Sequence, residues 1–365
     1  MGSVAEALEP ERPTAATDTS AAKQAPRARQ ASPDRDAADI PVAGPPVPIA
    51  AGLPTLPGLS EPVLQPFAGR MYDVGGYQLF VRRAQSPTTA EPALFVHGLG
   101  GASTNWTDVM YLLAHRLDGM AVDLPGFGHS EPPAGRDYSL ATHVDAVIAL
   151  LEATNRGPVH LVGNSLGGAV STRVAAARPD LVRTLTLISP AMPTLRPQRR
   201  TDPQLALLLI PSIAEMAVRW LAGVPVDQRS RAVIELCYHR PELVHAERIR
   251  EAVEEFRRRE GLEWTHEALI RSLRGLIGTY LLDHGERSLW RAATRVTVPT
   301  LLIWGRHDRL VSVRLARRAE RAFRHSRLIV IEDGGHVSQL EHPEVVASAV
   351  LELLDGQPPY PAAAS

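Results

Sequence analysis

An apolar run, Val159-His160-Leu161-Val162, stops at Gly163-Asn164-Ser165-Leu166-Gly167, and a run of small and apolar residues, Ala169 to Ala177, follows at once. A strand that turns into a helix within so few residues needs small residues where the backbone reverses. The serine at the tip of such a turn cannot bury its side chain in a sheet. Its hydroxyl stands where a base can reach it, and the new helix points free N–H groups and a positive dipole end at the same place. The surrounding chain repeats the pattern. Apolar strands at 93–97, 119–123, 159–163 and 184–189 alternate with helical runs at 105–116, 139–155 and 166–178. That alternation predicts an α/β architecture, a mostly parallel, doubly wound sheet with helices on both faces. Ahead of it, 71–74 and 77–81 flank Gly75-Gly76 and predict a hairpin.

A serine hydroxyl is a poor nucleophile at neutral pH. It needs a base, and the base needs a carboxylate to fix its tautomer. Two later apolar strands supply both. Arg327 to Ile331 runs into Glu332-Asp333-Gly334-Gly335-His336, which places His336 on a glycine-rich loop past a strand end. Thr300 to Gly305 runs into Arg306-His307-Asp308, which places Asp308 likewise. Asp333 and His307 compete with these as carboxylate and base. The order Ser, Asp, His is the one expected for this turn type. A further strand, Ala93 to Val96, ends in His97-Gly98-Leu99-Gly100-Gly101, a turn able to leave backbone N–H groups unpaired. The expected oxyanion hole is the N–H of Leu99 with the N–H of Leu166. His97 and His129 read as hydrogen-bonded structural histidines, and the spacing of His97 and Asp123 fits no closed metal site.

Taken together, His97-Gly98-Leu99-Gly100-Gly101, Asp123 to Ser130, Gly163 to Gly168, and Trp304 to Asp308 with Gly335-His336 resemble the α/β-hydrolase family, in particular its cap-bearing members. The resemblance covers roughly residues 68–355. It implies an α/β-hydrolase fold with residues 67–190 and 294–356 as core. It implies Ser165, Asp308 and His336 as catalytic residues, and it favours Asp308 over Asp333. The stretch 191–293, where strands give way to proline-punctuated helical patterns over Leu205–Leu221, Leu243–Arg259 and Trp264–Leu282, then reads as a helical cap. Trp106, Asn164 and Val337 are pocket candidates, although core packing suits Trp106 at least as well.

The expected activity is a serine hydrolase acting on a carboxylic ester of a small or medium apolar molecule, with no cofactor and no metal. Ser165 stands where haloalkane dehalogenases and epoxide hydrolases carry Asp. The Gly-Asn-Ser-x-Gly-Gly pattern at 163–168 also resembles carbon–carbon bond hydrolases of aromatic ring-cleavage pathways. Leu99-Gly100-Gly101 and Val337 depart from their usual residues. A ligand-binding protein that has lost turnover is the third reading, and the full residue set speaks against it.

Bulk properties exclude other classes. The formal net charge of −1 gives no reason to expect nucleic acid as a partner. The single cysteine, Cys237, rules out an intrachain disulfide and reads as a small apolar group. No apolar run approaches a membrane span, and no secretory signal pattern opens the chain, so the cytoplasm is the expected compartment. Residues 1–66, rich in Ala and Pro, read as a disordered segment whose end at Leu64–Phe67 docks on the body, and 357–365 as a flexible tail.

Overall fold

The computed structural model describes residues 53–56, 61, 64–194, 210–281, 285 and 288–357. The expectations for residues 1–52, for the first part of the Leu205–Leu221 helix and for residues 358–365 fall outside the described residues.

Eight strands form one sheet in the order β1-β2-β4-β3-β5-β6-β7-β8. β1 (Gly69–Val74) and β2 (Tyr77–Arg83) make the expected hairpin, with Gly75 and Gly76 at φ 56° and 82° in its two-residue turn. β2 pairs antiparallel with β4 (Leu117–Val122). From there β3 (Glu91–Val96), β5 (Val159–Asn164), β6 (Val182–Ile188), β7 (Thr300–Gly305) and β8 (Ser326–Ile331) run parallel. β5 and β7 are buried at every position, as a strand covered on both faces requires.

Two core clusters follow from that double covering. On one face, α2 (Leu140–Thr154), α3 (Leu166–Ala177), α8 (Leu289–Arg295) and α9 (Ala316–Ala322) bury Val147, Leu150, Val170, Val174, Ala293 and Ala319 against Leu94, Leu161 and Leu302. On the other, α1 (Thr107–Leu113) and α11 (Pro343–Asp355) pack Val109, Leu113, Val346 and Val350 against Phe95, Val162 and Ile303. Leu53, Leu56 and Phe67 pack against this second cluster. Residues 53–56 therefore lie on the body, within the segment 1–66 that the sequence predicts to be disordered with a docked end at Leu64–Phe67. Isolated leucines in a proline-dense stretch find a groove that composition does not reveal.

Between β6 and β7 the helices α4 (Pro211–Ala222), α5 (Val226–Cys237), α6 (Ala246–Glu260) and α7 (Thr265–Leu281) precede α8. This insertion crosses the carboxyl ends of the strands. Ala268 and Leu269 of α7 approach Gly126 and Gly100, and the N–H of His336 donates to the carbonyl of Cys237 at 2.8 Å. The insertion is thus a cap. Among the described residues no helix is long and apolar enough to cross a membrane.

Candidate active site

Four strand ends meet under the cap. β5 delivers Ser165, which adopts φ 53° and ψ −114°, a left-handed conformation that costs a residue with a Cβ roughly 1–3 kcal/mol. The turn is held there on both sides. The Ser165 N–H donates to the Ile188 carbonyl at 3.0 Å, and the Ser165 carbonyl accepts from Ala191 and Ala169, both at 3.0 Å. Gly167 is required by a close approach: a Cβ on it would lie 2.2 Å from the Val96 carbonyl oxygen. Ser165 is only partly buried while its neighbours Asn164 and Leu166 are fully so, and its hydroxyl makes no hydrogen bond among the described residues.

β7 and β8 deliver the other two groups. His336 Nδ1 lies 2.9 Å from Asp308 Oδ2, with side chains 4% and 0% exposed. Asp308 Oδ1 also accepts the N–H groups of Leu310 and Val311, each at 2.8 Å, so the carboxylate has three hydrogen bonds out of solvent. A carboxylate at Nδ1 fixes the proton on that nitrogen and leaves the lone pair on Nε2. Nε2 makes no hydrogen bond among the described residues. Asp333, the competing carboxylate, is exposed and lies 3.5 Å from His342 instead.

Asn164 joins the two halves. Its Nδ2 donates to the carbonyls of Ile188 at 3.0 Å and of His336 at 3.1 Å, so the residue preceding Ser165 grips the backbone of His336. Asn164, a pocket candidate from the sequence, is buried and spends its amide nitrogen on this bridge. Trp106 is fully buried and packs on Phe95 at 5.4 Å between ring centroids, so it belongs to the second core cluster and not to a pocket wall. Val337 packs against the small cluster of Tyr238, Val244 and Leu340, where the cap meets the His336 loop. Cys237 borders the same contact, and its thiol is pushed up to about 12 by burial and by the nearby Asp308 and Glu341 carboxylates.

β3 leads into the remaining turn. His97 is buried and both ring nitrogens are occupied: Nδ1 lies 2.7 Å from the Gly98 carbonyl, and Nε2 accepts the Leu124 N–H at 2.9 Å. That assigns the proton to Nδ1, and burial lowers the pKa of the ring below the usual histidine value. The Gly101 N–H also donates to Gly98, at 3.0 Å, which closes the turn and leaves the Leu99 N–H without an acceptor among the described residues. Leu166 is the first residue of α3, so its N–H has no partner within the helix.

A cleft of about 250 Å³ lies elsewhere, between β2 and α6, lined by Arg82, His129, Glu251, Glu254 and Arg258 among others. None of Ser165, Asp308 and His336 borders it. Among the described residues no three His, Cys, Asp or Glu side chains are grouped to hold a metal ion.

Known proteins share this fold. A family model described as alpha/beta hydrolase fold matches residues 92–343. The uncharacterized hydrolase YugF of Bacillus subtilis strain 168 is 26% identical over 287 residues, which cover 78% of this chain and 97% of that protein. Monoacylglycerol lipase abhd6-A of Xenopus laevis is 25% identical over 292 residues, covering 77% and 80% respectively. The structure of a thermophilic esterase from Thermogutta terrifontis superposes with a TM-score of 0.62 at 21% identity, over 79% of this chain and 98% of that one.

Proposed function

The chain belongs to the alpha/beta hydrolase fold family, and on that footing we propose that it is a serine hydrolase cleaving a carboxylic ester of a small to medium apolar molecule through an acyl-enzyme. The observation that supports this reading is the buried His336–Asp308 pair, tied through Asn164 to the turn that holds Ser165 at a positive φ.

In this reading Ser165 Oγ attacks the ester carbonyl while His336 Nε2 takes its proton. The Asp308 carboxylate steadies the imidazolium so formed and is not itself protonated. The N–H groups of Leu99 and Leu166 receive the negative oxygen, and each such donor is worth about 2.7–4 kcal/mol in the transition state. Collapse of the tetrahedral species breaks the bond to the alcohol, which leaves with the proton from His336. Water then gives a proton to His336 and adds to the acyl group. A second collapse frees the acid and restores Ser165. Holding Ser165 in its costly conformation places the hydroxyl before substrate arrives, so ordering it does not add to the barrier.

The test is a panel of p-nitrophenyl esters graded by acyl length, with a monoacylglycerol included because a relative is a monoacylglycerol lipase. Ser165→Ala is expected to lose at least about a thousandfold in kcat. Parent-rate hydrolysis by that variant would refute the assignment. Decay of the yellow absorbance of a vinylogous diketone ring-fission product, with no ester turnover, would instead favour the carbon–carbon hydrolase reading.

A further inference from the structure

Two charged side chains run between the cap and the core, and each ends on the backbone of a turn that the serine hydrolase reading uses. Glu341 closes α10 (Ser338–Glu341), five residues after His336, and is 3% exposed. Its Oε1 accepts the N–H groups of His239 at 2.7 Å and Arg240 at 2.6 Å, just beyond α5 in the cap. Its Oε2 accepts the N–H of Gly335 at 2.7 Å. The His336 N–H returns the contact by donating to Cys237, so cap and histidine loop are cross-bonded in both directions. At the other turn, Arg259 in the last turn of α6 is 5% exposed and donates from Nη2 to the Gly100 carbonyl at 2.8 Å. Its Nε lies 3.3 Å from Glu255.

The chemistry of these groups is specific. Only a carboxylate offers acceptors on both oxygens to three converging N–H groups. A glutamine in the same place would turn an NH₂ group toward one of them. A guanidinium likewise reaches a carbonyl from a buried helix end while keeping its partner carboxylate. Small shifts at either turn matter, because a misplacement of about 1 Å at reacting groups can cost on the order of a hundredfold in rate.

We propose that Glu341 and Arg259 are positioning residues that make the cap part of the catalytic frame, Glu341 setting the His336 loop and Arg259 the Leu99 turn. This rests on the roles given above to His336 and to the Leu99 N–H. It follows that the cap cannot swing away from these two turns as a rigid lid without disabling the site.

The experiment uses the full chain with p-nitrophenyl butyrate and variants Glu341→Gln, Glu341→Asp and Arg259→Met, with rates counted per mole of cooperatively folded protein. Glu341→Gln is expected to lower kcat by about ten- to a hundredfold with KM changed less than about threefold. It should also shift or broaden the downfield proton resonance of His336 Nδ1–H. Glu341→Asp, which keeps both oxygens, recovers part of kcat. Arg259→Met lowers kcat and leaves that resonance in place. Parent kcat in folded Glu341→Gln and Arg259→Met would overturn the proposal, as would loss of cooperative folding in both Glu341 variants, which would assign Glu341 to the fold alone. Full activity of Ser165→Ala and His336→Ala would overturn the serine hydrolase reading, a separate result.

Discussion

Asn164 shows how one side chain couples fold and chemistry. It is 3% exposed, and its amide nitrogen serves two carbonyls that belong to different strand ends, Ile188 and His336. Removing the amide leaves the buried His336 carbonyl unpaired, at roughly 1–3 kcal/mol, while the Ile188 carbonyl loses one of two donors and keeps the Ser165 N–H. Asn164→Ala is therefore expected to lower the urea unfolding free energy by a few kcal/mol at most and, in the part that stays folded, to lower kcat more than it raises KM. Unfolding curves and ester kinetics on the same preparation check this. Unchanged stability together with a raised KM would return Asn164 to the pocket wall.

At the scale of elements, the cap helix α6 is held mainly by charge. Arg248, 3% exposed on its side chain, pairs with Asp108 at 2.7 Å and also donates to the Leu64 carbonyl at 2.7 Å. Glu251 shares the same guanidinium at 2.7 Å. Breaking a buried pair strands its partner, so Arg248→Met is expected to cost about 3–5 kcal/mol in chemical unfolding. A loss under about 1 kcal/mol would show that the carboxylates reach water instead. Such links mark the limit of what the sequence reveals. The strand–turn–helix at Ser165 was legible because its periodicity and its small residues are local. The strands ending at Val96, Gly305 and Ile331 were legible as apolar runs for the same reason. The contacts by which Arg248, Arg259 and Glu341 join cap to core reach partners about a hundred or more residues away, and no local pattern announces them. α5 was not distinguished as a separate helix, since its polar residues blur the apolar stripe. Trp106 carries no local sign of which side of the sheet it packs on.

For the whole molecule, buried histidines tie stability to pH. His143, between α2 and the cap, meets Ser272 at 3.1 Å, and burial lowers its pKa from 6.5 to about 3. The unfolded chain therefore takes up a proton below pH 6.5 that the folded chain refuses until about pH 3. Stability is complete above the unfolded value and is lost as pH falls through that window, by at most about 1.4 kcal/mol per unit for each such histidine. Urea unfolding is expected to give a smaller free energy at pH 5 than at pH 7.5, and a shallower slope in His143→Gln. Equal slopes would show His143 protonated in the folded state. The amino-terminal strap makes a second demand on the whole fold. A chain lacking residues 1–60 should unfold at a lower midpoint than one lacking 1–50, because it has lost Leu53 and Leu56 from the second core cluster. Whether the His336–Asp308 pair activates Ser165 is read by a fluorophosphonate probe followed by peptide mass mapping. One phosphonate per chain is expected, on the peptide carrying Ser165, with labelling slowed by orders of magnitude in His336→Ala. Labelling at another residue, or at Ser165 with equal speed in that variant, would contradict that activation.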